Sequence, residues 1–362
     1  MNPDVVLPLL SSVLSFIFCI LLIDQWRVRR RSYQGVWAIG MLWYGLSAGT
    51  EFLGGAFGWS EAIYRPWYLI GAVYVAAWLG LGTALLLGRT RFGYAFALSI
   101  LLAGLFTFLT HARQQYPDAG DSATIYFALG VVLAAIVAVL TYLERHVWAQ
   151  LVGVVLTIGS VIAAVVAFTV PLPAPGYVLS DTGIPVAGLF PGYLRLLTPY
   201  FNITGGFALA LGAVFSTYVF MPKRRVLDYS LEPGASFVST PFFRFDGPRS
   251  TIGAIVAYVL LYSWLVLIAL VVNFLASIPL AIRALRRGEL NSRVPATILL
   301  ALGGFIPSIT SGLNRFGLTG PFFLGELLGV IFLFLGFLAS IEVFREFRVP
   351  FTNRVLRART GR

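Results

Sequence analysis

Ten stretches of the chain are almost continuously apolar, and its polar residues gather in short clusters between them. The runs lie at about Val5–Ile23, Val36–Gly58, Pro66–Gly88, Tyr94–Thr110, Ile125–Leu143, Val147–Val170, Pro199–Met221, Ile252–Ile282, Pro295–Leu313 and Pro321–Phe344. A helix needs about 20 apolar residues to cross the hydrocarbon of a bilayer. The pattern therefore predicts an all-α polytopic transmembrane bundle of about ten spans. The first run is too long, and too thinly basic in front, for a cleaved signal peptide, and no Ala-x-Ala site follows it. It reads as a retained span. The polar clusters are too short for a separate extramembrane domain.

Composition narrows the function classes. Of 362 residues 58% are hydrophobic and 11% charged, whereas a soluble domain carries about a quarter charged residues. A soluble enzyme, a disordered chain and a secreted disulfide scaffold are excluded. The net charge is +11, and in a polytopic protein such an excess belongs to loops that face anionic lipid. The bilayer is the expected partner, and nucleic acid is not. Lys223 is the only lysine beside 25 arginines, a ratio that fits a GC-rich bacterial genome and a bacterial cytoplasmic membrane. No lysine lies inside a span, so a retinal Schiff base has no amine to form on. Cys19 is alone in an apolar run, where a thiol is inert.

Orientation follows from the arginines. Arg27, Arg29, Arg30 and Arg31 follow the first run, Arg89 and Arg91 the third, Arg145 the fifth, and Lys223, Arg224 and Arg225 the seventh. The alternate loops hold only Arg65, Arg113 and Arg195. The positive-inside rule puts the N-terminus outside and residue 221 onward inside. Four segments result: a seven-span bundle over 1–221, a basic and aromatic cytoplasmic loop over 222–251, a three-span segment over 252–344 and a basic tail over 345–362. The last third conflicts with the rule. Both the loop at 222–250 and the cluster Arg283, Arg286, Arg287 and Arg293 should lie inside, yet Ile252–Ile282 separates them. It reads as one long span with a basic loop on the wrong side. The alternatives are a bent re-entrant pair hinged near Ser263 or Asn273, or a neighbouring run that does not cross.

The pattern of the first three runs returns in the last three, with RVRRRSYQG answered by RALRRGELNSR. The outer loop 171–198 holds Pro171, Pro173, Pro175, Pro185 and Pro191 among apolar residues, which suits a lid or interfacial segment, or an ordered connector. In the inner loop, basic residues alternate with Phe237, Phe242, Phe243 and Phe245, suiting an anionic lipid surface or a protein partner docked on 222–251 and 345–362.

Two acids fall within spans, Glu51 in AGTEFLGG and Glu326 in FFLGELLG. A charge at that depth costs several kcal/mol unless paired or solvated, so each is a functional candidate. Each has an arginine near its own hairpin turn, Arg65 and Arg315. The charges then either form two ion pairs stapling two hairpins, or meet around one outward-facing site. Ser47, Thr50, Ser308, Thr310, Ser311 and Asn314 lie at the same level. The candidate substrate-binding set is Glu51, Arg65, Arg315, Glu326, Asn314 and Ser311. Arg65 could instead pair with Glu61 at i,i+4 spacing. Trp43, Tyr44, Trp59, Tyr64, Trp67 and Tyr68 read as an interfacial belt, or else a ligand cage. Asn273 reads as interhelical glue, and Gly325 with Gly329, Gly205 with Gly206, and Ala76 with Gly80 as sites of close helix approach.

Enzyme signatures do not assemble. His111 and His146 fall on opposite faces, so no catalytic residue, metal ligand set or cofactor site is expected. Thr310-Ser311-Gly312 has no histidine within a span to serve as base.

The stretch WAIGMLWYGLSAGTEFLGGAFGWSEAIYRPWYLIGAVYVAAWLGLGTALLL from Trp37 to Leu87 resembles a family of uncharacterised bacterial polytopic membrane proteins. The stretch GGFIPSITSGLNRFGLTGPFFLGELLGVIFLFLGFLASIEVF is similar to their C-terminal part. That resemblance implies a fold and no activity. The seven N-out spans also resemble seven-helix sensor modules of bacterial signalling proteins, without an output domain. Three readings follow: a permease-like or small-molecule or lipid-handling protein, a membrane sensor or accessory subunit, and a membrane enzyme acting on lipid, for which catalytic groups are missing.

Overall fold

A computed structural model describes residues 2–181, 183–230, 237–239, 244–246, 263–291, 293–315, 321–339, 346–348, 350–352 and 355–358. Ten long helices run through them. They are α1 (Pro3–Arg29), α2 (Ser32–Phe57), α3 (Glu61–Leu87), α4 (Gly93–Gln114), α5 (Ser122–Tyr142), α6 (Val147–Thr169), α7 (Gly192–Phe220), α8 (Ser263–Arg286), α9 (Arg293–Arg315) and α10 (Phe322–Ala339). Among the described residues nine of these, α1 and α3 to α10, are long and apolar enough to cross a membrane. The chain is a multi-pass helical membrane protein. α2 matches the others in length, with 26 residues, but carries Gly, Trp, Tyr, Ser and Glu51 where they carry Leu and Val.

Local chemistry sets the helix ends. Asn2 caps α1, its side chain accepting from the Asp4 amide at 3.0 Å, and Pro3 occupies the first turn, where a missing N–H costs nothing. Asp4 at that end and Arg27 and Arg29 at the other complement the helix dipole. Pro199 has no N–H for the Arg195 carbonyl inside α7, and the Thr198 hydroxyl donates to that carbonyl instead at 2.5 Å. In α3 the ladder widens to a π turn at Ile70–Tyr74, four residues after Pro66.

Six helices close a ring. α1 lies on α2, α2 on α3, α3 on α7, α7 on α9, α9 on α10, and α10 returns to α1. Helices from the two ends of the chain thus share one core, where Phe18 and Trp37 meet Phe337. Small residues permit the tightest approach. A Cβ at Gly80 or Gly205 would strike the backbone of the facing helix, so α3 and α7 touch main chain to main chain, and Gly329 likewise admits the ring of Pro307. α4 and α5 form a hairpin outside the ring against α7, and α6 packs against α3.

The basic turns collect at one end. Arg91 bonds the Thr141 carbonyl at 3.1 Å and pairs with Glu144 at 2.6 Å, and the Trp148 indole donates to the Gly88 carbonyl at 3.0 Å. The α3–α4 and α5–α6 turns therefore share a face. The tail reaches the same end, where the Phe351 amide donates to Asp24 at 2.9 Å and Arg27 lies over the Phe351 ring.

The segment after α7 carries three short antiparallel strands, β1 (Asp228–Ser230), β2 (Phe237–Ser239) and β3 (Arg244–Asp246). Burial pushes the Tyr229 phenol above its ordinary value. Two more strands, β4 (Glu346–Arg348) and β5 (Val355–Ala358), pair in the tail. α8 runs from Ser263 through Asn273 without a break, so no hinge lies at Asn273, and the residues just before Ser263 lie outside the described residues. The start of the run Ile252–Ile282, and Phe242 and Phe243, lie outside the described residues.

Candidate functional site

Within the ring a cavity of about 100 Å³ has its wall drawn from α2, α3, α7, α9 and α10. Its polar lining is Tyr44, Ser47, Asn202, Ser308, Ser311 and Glu326. One water needs roughly 10–15 Å³ on such a measure, so the space takes a few waters or a solute of a few heavy atoms. Two irregularities in the helices make this room. The π turn of α3 brings Gly71 to the wall, and Pro307 in α9 withholds its missing N–H from the Gly303 carbonyl, another wall residue.

Glu51 is 2% exposed. Its Oε1 accepts from the Trp67 indole at 3.1 Å. The Glu51 and Glu326 side chains are neighbours. Among the described residues no group donates to Oε2 of either, although both oxygens are buried. Two carboxylates have no hydrogen between them, so a bond joining them requires a proton on one. Tyr44 stands beside both acids and donates to the Glu326 backbone carbonyl at 2.8 Å, tying α2 to α10 at this level.

Arg65 does not meet Glu51. It turns the other way, to Glu61 at 2.6 Å and to the carbonyls of Ala167 and Val170 at 2.5 and 2.7 Å. Those carbonyls close α6 and have no partner within the helix, so the arginine fork is their natural cap. The i,i+4 alternative is the pairing present, and four charges around one cavity is not the arrangement found. Asn314 and Arg315 end α9, and their side chains lie outside the described residues. Ser311 lines the cavity with Glu326. Of the hydroxyls at that level, Thr50 donates to the Ser47 carbonyl at 2.6 Å and Ser308 to the Gly304 carbonyl at 2.7 Å. Ser308 therefore offers the cavity acceptor lone pairs.

Sequence reasoning puts Trp67 in an aromatic belt or cage without linking it to Glu51, and gives Asn202 no place in the site. Trp67 reads as one of six interfacial aromatics, and nothing in its local pattern marks it as the donor to Glu51. Several of those aromatics form a stack. Phe190 lies flat on Tyr68 with centroids 3.9 Å apart and on Tyr64 at 5.3 Å, and Tyr64 stacks on Trp67 at 5.4 Å. Phe190 belongs to the proline-rich loop, which folds back at Leu179 and Pro185 and receives the Tyr64 hydroxyl on the Val186 carbonyl. Its Ile184 reaches Phe322, Phe323 and Leu7. The loop is thus an ordered strap from α3 to the tip of α10.

Among the described residues no three His, Cys, Asp or Glu side chains come together as a metal site. Compared with family models, with curated proteins and with solved structures, the chain matches none.

Proposed function

We propose that this is a permease-like carrier of a small polar solute in a bacterial cytoplasmic membrane. In this reading its basic face is turned to the cytoplasm, and the Glu51–Glu326 pair is its proton-binding site. The observation that carries the reading is the pair itself, two buried acids from opposite ends of the chain set against a polar cavity. A structural staple would join an acid to a base, which offsets part of the cost of burial. Acid on acid gives no such return, and a shared proton is labile where a fixed ion pair is not. The wall adds hydroxyl and amide groups and, among the described residues, no cation. That chemistry suits a small amine or a hydroxylated solute.

The test uses purified protein in liposomes that trap a pH-sensitive dye, with a panel of small amines and polyols outside. The expected result is proton movement coupled to one solute class, abolished in Glu51→Gln and in Glu326→Gln. Infrared difference spectra on the same protein should show a protonated carboxyl band that both single variants alter and the double variant lacks. Persistence of that band in the double variant, or solute uptake indifferent to both acids, overturns the reading. A normal carboxyl band without movement of any solute would favour a sensor or accessory subunit. The folded strands on the basic face, β1–β3 and β4–β5, supply a surface for that role.

A further inference from the structure

We propose that α8 does not cross the membrane but lies along the basic face as an interfacial helix seated in an anionic lipid leaflet, so that the chain crosses nine times. Length and composition would let α8 span, but four observations place it elsewhere.

The first is parity. α7 and α9 run antiparallel along their whole contact. Gly206 meets Ser308, Gly304 meets Leu209, and the Thr217 hydroxyl donates to Thr297 at 2.8 Å. The end of α7 and the start of α9 therefore share one face, and everything between them leaves and returns on that face. A single crossing by α8 would need a second crossing to undo it.

The second is level. Leu270, a third of the way along α8, packs against Tyr218 and Met221 at the end of α7 and Val294 at the start of α9, with Phe274 beside them. Nearer its start, Val266 and Ala269 join the cluster that runs from Phe92 and Phe96 at the start of α4 to Ile100 and Leu101. The helix thus passes beneath the ends of α7 and α9. It does not run lengthwise beside its neighbour α9.

The third is charge. Asn273 accepts from the Val226 and Leu227 amides at 2.8 and 2.9 Å and donates to the Leu227 carbonyl at 2.6 Å. Ser277 accepts from the Arg224 amide at 2.9 Å. The exposed residues Arg224 and Arg225 are thereby held beside the midpoint of α8. Were α8 to cross, that midpoint would be the bilayer centre, where an exposed arginine costs several kcal/mol. At the interface the same arginines meet phosphate.

The fourth is the outer face. Ile268, Val271, Leu275, Ile282 and Leu285 are 40–61% exposed and recur at three- to four-residue and seven-residue spacing, a stripe that no part of the chain covers among the described residues. Arg283, Arg286 and Arg287 stand exposed at its end. An apolar stripe flanked by arginines fits the acyl–headgroup boundary of an anionic leaflet. With α8 there, all the basic segments from residue 222 to the tail fall on one side, and the conflict with the positive-inside rule disappears.

The test places spin labels singly at Ile268, Leu275, Ile282 and Leu285 of the full chain carrying Cys19→Ser, in nanodiscs containing phosphatidylglycerol. Oxygen and nickel-chelate accessibilities then report depth. One shallow depth common to all four sites is expected. A depth that increases from Leu285 to Leu275, as in a crossing helix, overturns the proposal. A second readout is the phosphatidylglycerol that co-purifies with the protein. It should fall severalfold in the triple variant Arg283→Gln, Arg286→Gln, Arg287→Gln, and an unchanged amount overturns the anionic-lipid part.

Discussion

The side chain of Glu51 on α2 neighbours that of Glu326 on α10, and the Trp67 indole holds the first in place. Helices from the two ends of the chain therefore meet at the groups that cost most to bury. In the function proposed above the two share a proton, which would replace one of two buried charges.

Replacing either acid by glutamine should be tolerated better than replacing it by alanine, since an amide can still donate to the remaining carboxylate. Glu51→Ala would leave the Trp67 N–H and the Glu326 carboxyl without their partner, at a cost of about 1–3 kcal/mol. Thermal unfolding in detergent checks this. The double variant Glu51→Gln, Glu326→Gln should depart from additivity by roughly 0.5 kcal/mol or more, and strict additivity would mean the carboxyl groups do not touch.

Trp67→Phe separates the indole's hydrogen bond from its ring contacts. It keeps a ring against Tyr64 and Trp59 but removes the donor to Glu51, so stability should fall by about 1 kcal/mol. The carboxyl infrared band should move in the same variant. A band at the wild-type frequency would show that Trp67 does not touch the pair.

Arg65 and Glu61 should behave unequally although they form one ion pair. Arg65 is buried and caps two carbonyls of α6, so Arg65→Ala should cost about 3 kcal/mol. Glu61 is 49% exposed, and Glu61→Gln should cost under about 1 kcal/mol. Equal losses in a chemical denaturation series would contradict the capping role.

Asn273 ties residues 226 and 227 to α8 through three hydrogen bonds. Asn273→Leu preserves bulk and removes all three. Protease cleavage next to Lys223, Arg224 and Arg225 should then become severalfold faster, because that segment loses its anchor. An unchanged cleavage rate would mean the strands are held by other contacts.

The α3–α7 crossing tolerates no side chain at Gly205, whose missing Cβ leaves room for the Ala76 backbone. Gly205→Val should cost about 3 kcal/mol or prevent folding, as overpacking does when the obstacle is main chain. Monodispersity on size exclusion is the measurement, and a stable monodisperse variant would show that the helices can part.

Much of this protein is legible without coordinates, because hydropathy and charge are summed along the chain. The apolar runs, their helical state, the alternation of basic and non-basic turns, and Glu51 and Glu326 as acids with no ordinary reason to lie within a span all follow from composition by position. The small-residue spacings around Gly205 and Gly329 mark close contacts that the fold contains. Partner choice is not legible in this way. Arg65 has Glu61 four residues before it and Glu51 fourteen before, and its reach allows either. Only the position of α6, whose last carbonyls needed a donor, decided between them. Glu51 finds Glu326 because α10 closes the ring against α1, a contact between the two ends of the chain that no local pattern encodes. The level of α8 is equally a matter of packing, since twenty-odd apolar residues satisfy the arithmetic of a span wherever they lie. What burial of apolar surface demands is fixed by each segment alone. Which polar groups must then share the space left over is fixed by the rotation and neighbours of every helix at once.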